Sequence, residues 1–121
     1  MAASPRLGRL AREDDFRRVY RNGVRRSTAL VVIHALPNTV GELRLGLAVG
    51  RRLGRAVARN RVRRRLREAV RALRARLHTG HDIVLTPKAE AARAPFGQMR
   101  RAVEEALTAA GLLASSAGDR A

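Results

Sequence analysis

The chain has no cysteine, no tryptophan and only three other aromatic residues, Phe16, Tyr20 and Phe96. Without cysteine there is no disulfide frame, no zinc knuckle and no thiol chemistry. With so few aromatics, any one that reaches the surface is of interest. No apolar run approaches the ~20 residues of a membrane span. The first fifteen residues, MAASPRLGRLAREDD, lack the apolar region of a signal peptide, so the expected location is cytoplasmic. Acids are scarce too. Ten stand against 26 basic residues, of which only Lys88 is lysine, for a formal charge of +16. A pI near 12.0 suits a phosphate-bearing partner and little else in cytosol. The length of 121 residues implies one domain over 1–121, with 1–8 and 114–121 as flexible tails.

Catalytic side chains are missing as well. The acids are spread thinly, and no pair suggests acid–base work. Ser4, Ser27, Ser115 and Ser116 have no evident base partner. Gly50 and Gly54 are not followed by the Gly-Lys-Ser/Thr of a nucleotide-binding loop. His78-x-x-His81-Asp82 matches no strong metal-ligand spacing. The expectation is no catalytic residue and no metal ligand. If the chain belongs to an enzyme, the chemistry lies elsewhere.

What is present is concentrated between Val49 and Leu77. Arg51 to Arg76 holds twelve arginines and one acid, Glu68, which is +11 of the +16. Val62, Leu66, Ala69, Val70, Leu73 and Leu77 recur on one helical stripe, extended backwards by Ala58. Asn60, Arg64, Arg67, Glu68 and Arg71 fall on the far side, with Arg61 and Arg63 on the flanks. A merely solvated face would mix charge signs to gain pairing between successive turns. Here the arginines repel one another, and a single-sign stripe is the footprint of a nucleic-acid surface. Counterion release on binding phosphates would supply the missing stability.

The other elements are read in chain order. A helix is predicted near Glu13–Asn22, acids first, with Phe16, Val19 and Tyr20 on one face. Gly23 would close it in the left-handed conformation. Strands are predicted at 28–36, 43–49 and 82–86, the first two pairing as an antiparallel hairpin. A last helix is predicted at about 95–113, with Pro95 in its first turn. The order α-β-β-α-β-α, with a further short strand possible, gives an α+β fold: a small mixed β-sheet covered by helices.

The run from Arg51 to Glu68, RRLGRAVARNRVRRRLRE, resembles the protein subunit of bacterial ribonuclease P. Two basic residues, x-Gly-x-Ala-Val-x, then the Arg59-Asn60-Arg61 signature make up that family's pattern. Asp15-Phe16, Tyr20, Asn22-Gly23 and Arg44-x-Gly46-x-x-Val49 agree with it, over about residues 7–113. The resemblance implies a left-handed β-α-β crossover of the type shared with ribosomal-protein and translocation-factor domains, although about 98% of such connections are right-handed. It implies a ribonucleoprotein endonuclease that removes the 5′ leader from precursor tRNA, with a catalytic RNA subunit using Mg2+. The isolated chain would then be inactive. RNA-binding residues would be Arg51, Arg52, Arg55, Arg59, Asn60, Arg61, Arg63, Arg64, Arg65, Arg67 and Arg71. The single-stranded leader would lie in a cleft with Phe16, Tyr20 and His34, the last at a position where family members often carry an aromatic. Exposed aromatics can stack unpaired bases. Two alternatives are a structural RNA-binding protein, such as a ribosomal component, and a DNA-binding helix-turn-helix protein. The second is disfavoured because the arginine helix follows a strand and a glycine loop, not another helix.

Overall fold

The structure, a computed structural model, describes residues 7–113. It contains strands β1 (Leu7–Arg9), β2 (Val24–Ser27), β3 (Val31–Pro37), β4 (Leu43–Leu47) and β5 (His81–Pro87). The helices are α1 (Glu13–Asn22), α2 (Ala56–Leu73) and α3 (Phe96–Ala109). The fold is α+β, as the order of elements predicted. The expected tail at 114–121 and residues 1–6 of the expected N-terminal arm lie outside the described residues.

The five strands form one mixed sheet in the order β1-β4-β5-β3-β2. The predicted hairpin between 28–36 and 43–49 does not exist. β5 lies between the two, antiparallel to β3 and parallel to β4. The reason is in β5 itself. Ile83, Val84 and Leu85 are all fully buried, so this strand is apolar on both faces and belongs at the centre. The chain between β3 and β4 crosses the start of β5, where the Asn38 N–H donates to the Gly80 carbonyl at 2.8 Å. Asn38 also holds this turn, since its Oδ1 accepts from the N–H groups of Val40 and Gly41. β4, α2 and β5 form the expected β-α-β unit.

Other boundaries also moved. Leu7 and Gly8, expected in a tail, pair in parallel with Leu43 and Arg44. Gly23 is extended (φ −85°), not left-handed. Its lack of a side chain matters for another reason. A Cβ there would sit 2.6 Å from the Val19 carbonyl oxygen and 2.8 Å from that of Ala35. The glycine lets the end of α1 lie directly on β3. α2 gives way to a 3-10 turn, Arg74–Arg76, before Leu77. α3 starts after Pro95, which caps it, and the chain turns at Gly111 with φ +80°.

The two faces of the sheet differ. Val31, Ile33 and Ala35 of β3 alternate inward with Leu43, Leu45, Ile83 and Leu85. Against them pack the buried stripe of α2 and Met99, Val103 and Leu107 of α3. The opposite face carries a smaller core of Leu10, Val19 and Val84, edged by Phe16, Leu36 and Ala48. α1 supplies part of that core and leaves the rest of the face open.

Candidate nucleic-acid interface

α2 buries the stripe that its periodicity predicted: Val62, Leu66, Ala69, Val70 and Leu73. Ala58 is only half-buried. The arginines therefore divide into two sets. Arg63, Arg67 and Arg71, four residues apart, flank the side facing β1, where Arg67 and Arg71 line a groove with Arg9. Arg61 and Arg64 are exposed and do not line that groove. Arg65 is held within the protein, its guanidinium donating to the Ala94 carbonyl at 3.2 Å. Arg63 donates to Asn60 Oδ1 at 2.8 Å. Arg51, Arg52 and Arg55 are exposed around the 3-10 turn Arg51–Leu53 that leads into the helix. Gly54 there has φ +111°, a conformation closed to other residues. Arg59 keeps its Nε enclosed without a hydrogen-bond partner. Among the described residues no ion pair neutralises Arg51, Arg52, Arg55, Arg59, Arg61, Arg63, Arg64, Arg67 or Arg71, and Glu68 pairs with none of them. The charge of the helix is thus left almost without counter-charge, although only Arg61, Arg64 and Arg71 of its arginines are fully exposed.

The three residues expected in a cleft come together on the open sheet face. The Phe16 ring lies over Gly46, where a Cβ would be 2.7 Å from its Cζ. Its centroid is 6.4 Å from that of Tyr20, and Tyr20 meets His34 edge-on at 4.9 Å. Phe16 is half-buried and joins the small core, whereas Tyr20 is 43% exposed. Val19 between them is fully buried, as packing alone would have it. Strand register places Val32 and Thr86 on the same face as His34, making an open floor beside α1. Burial, with help from the Arg25 charge, pushes the His34 imidazole below its ordinary pKa, so it is neutral near pH 7. Arg25, opposite His34 on β2, is exposed.

α1 is fixed to the sheet by Asp82, whose side chain is completely enclosed. Arg44 grips this carboxylate with two bonds, Nε to Oδ1 at 2.8 Å and Nη2 to Oδ2 at 2.9 Å. Arg18 of α1 donates to Oδ2 at 2.8 Å, and Asn38 Nδ2 to Oδ1 at 2.8 Å. Burial pushes the carboxyl up, but the hydrogen bonds from Arg44, Asn38 and Arg18 outweigh it and hold Asp82 below its usual range. Arg18 also reaches Asp15 at 3.0 Å. Sequence reasoning met Asp82 at a strand start and in a weak His78-x-x-His81-Asp82 spacing, and missed both this anchor and Arg9.

The Ribonuclease P family profile matches residues 5–111. The chain belongs to the ribonuclease P protein family. Among its relatives, the ribonuclease P protein component of Symbiobacterium thermophilum is 43% identical over 99 residues, covering 81% of this chain and 86% of that one. That of Caldanaerobacter subterraneus subsp. tengcongensis is 33% identical over 102 residues, covering 84% and 88%. Among solved structures, the RNase P protein of Staphylococcus aureus superposes with a TM-score of 0.80 at 26% identity, over 88% of this chain and 97% of that one. That of Thermotoga maritima gives 0.77 at 28%, over 84% and 96%. Membership of the ribonuclease P family makes this an RNA-binding subunit of a ribonucleoprotein in tRNA processing. Among the described residues no helix is long and apolar enough to cross a membrane.

Proposed function

We propose that this chain is the non-catalytic protein of an endonuclease that removes the 5′ leader from precursor tRNA. In this reading α2 and the 3-10 turn before it bind the catalytic RNA. The open sheet face beside α1 takes the single-stranded leader. The observation that carries it is the gathering of Phe16, Tyr20 and His34 on one exposed face, while the unneutralised arginines occupy a separate helix. Tyr20 and the neutral His34 ring can stack on unpaired bases without regard to sequence. Exposed Arg25 can meet a phosphate beside them. The guanidiniums of α2 neutralise phosphates of the larger RNA and release counterions.

The carboxylates around the cleft do not fit Mg2+. Asp82 is enclosed by two guanidiniums and Asn38, and Glu13 and Asp14 are tied to Arg17. We therefore assign Mg2+ and the hydrolytic step to the RNA, and binding and positioning to the protein. Cleavage of precursor tRNA by a catalytic-subunit transcript, with and without this chain at low salt, tests the reading. It requires stimulation by the protein, an advantage for precursor over mature tRNA, and no cleavage by the protein alone. A chain that cleaves by itself after exhaustive removal of contaminating nuclease overturns it.

A further inference from the structure

β1 stops at Arg9, and the chain turns away into α1 after Leu10. β4 continues to Leu47 without a neighbour beyond that point, so its outer edge is uncovered. The gap is a groove of about 340 Å³ lined by Phe16 and Leu10 from the side of the cleft, Leu47 at the edge, and Arg9, Arg63 and Arg67. A second groove of about 140 Å³ continues it along β1 between Arg9, Arg67 and Arg71. One aromatic wall of the cleft is therefore also a wall of a passage that leads around the sheet edge to one flank of α2. Arg9 and Arg67 have no ion-pair partner among the described residues, and Arg63 is bonded only to the neutral Asn60.

We infer that α2 serves two RNAs: the arginines that line the grooves, Arg63, Arg67 and Arg71, with Arg9, hold the phosphates of the precursor strand where it leaves the cleft, and Arg61 and Arg64, which line neither groove, belong to the catalytic RNA. This rests on the leader-cleft reading and extends it. The groove has an apolar floor and a cationic rim, which suits an unpaired nucleotide: the base lies against Phe16 and Leu47, and the backbone meets the guanidiniums. It is continuous with the cleft through Phe16. Arg61 and Arg64, which line neither groove, have no such floor and present charge alone. The residue that marks the passage as a site of its own is Arg9, which reaches it from β1 and not from the arginine helix.

The test uses holoenzymes assembled from the catalytic RNA and Arg9→Gln, Arg67→Gln, Arg64→Gln or Tyr20→Ala protein. Two affinities are measured across salt: protein for catalytic RNA, and saturated holoenzyme for precursor tRNAs of increasing leader length and for mature tRNA. Arg9→Gln and Arg67→Gln are expected to weaken precursor binding about fivefold, only with leaders long enough to pass Phe16. Each should lower the salt slope of that binding by about 0.7, the single-strand value. Assembly should change by less than about twofold, whereas Arg64→Gln should do the reverse. If Arg67→Gln weakens assembly and leaves precursor affinity intact, the flank belongs to the catalytic RNA and the inference falls. If Tyr20→Ala lowers precursor affinity while Arg9→Gln and Arg67→Gln do not, the cleft stands and the passage is wrong. If Tyr20→Ala has no leader-dependent effect either, the cleft reading fails with it.

Discussion

At the scale of single residues, two glycines and one acid set the geometry. Gly46 and Gly23 both admit a close neighbour, but of different kinds. Alanine at 23 meets two backbone carbonyl oxygens that cannot yield, whereas alanine at 46 meets the Phe16 ring, which can swing outward. Overpacking of this sort costs about 1–3 kcal/mol. Gly23→Ala should lower the melting temperature more, and Gly46→Ala should instead displace Phe16 and reduce the holoenzyme's preference for precursor over mature tRNA. A larger melting loss for Gly46→Ala would contradict this. Asp82 makes a pH prediction. Its carboxyl is held below its ordinary 3.8, so its stabilising effect is complete above that value and disappears as pH falls through the lower folded-state value. Urea midpoints should fall on acidification from about pH 5 downward, and Asp82→Asn should flatten part of that fall. Asp82→Ala leaves Arg44 and Arg18 without their counter-charge and should cost about 3 kcal/mol at neutral pH, the lower figure for breaking a buried pair.

Elements differ in how much of them the sequence disclosed. α2 and its buried stripe were legible because five core contacts recur at helical spacing in an arginine-rich run, although the helix ends at Leu73, short of Leu77, and Ala58 stays half-buried. β3 alternates and was legible too. β1 was not, because three residues beside an arginine-rich terminus carry no pattern, and β2 is exposed throughout, so no burial pattern marks it. The cleft was read from family resemblance; composition alone showed only that aromatics were scarce. Asp82 escaped notice because its arginine partners lie 38 and 64 residues away in the chain. The family pattern Arg44-x-Gly46-x-x-Val49 now has physical content: a carboxylate grip, a seat for Phe16 and a buried side chain. Tests follow the same division. Leu66→Ala removes a fully buried side chain and should cost about 2–5 kcal/mol of stability. Arg64→Glu should leave the circular dichroism spectrum unchanged and weaken binding to the catalytic RNA. Tyr20→Ala should cost about 1–3 kcal/mol of precursor affinity, as for one stacked base. An equal loss for mature tRNA would return Tyr20 to a packing role.

For the whole molecule, a charge of +16 works against the compact state. The isolated protein should therefore gain melting temperature with added salt, and more with sulfate or phosphate than with chloride at equal ionic strength. A melting temperature indifferent to salt would mean that the arginines repel one another little. The strand order has a consequence in time. A ribosome delivers β3 and β4 before α2, and α2 before β5, yet β5 is the strand to which both of the earlier ones bind. Until residues 81–87 emerge, the nascent chain holds two half-sheets with facing open edges and a complete arginine helix with no finished core to rest on. Open edges of this kind invite pairing with other chains. An RNA already engaged by the helix would meet a protein still closing, so assembly of the particle and completion of the sheet can be one event.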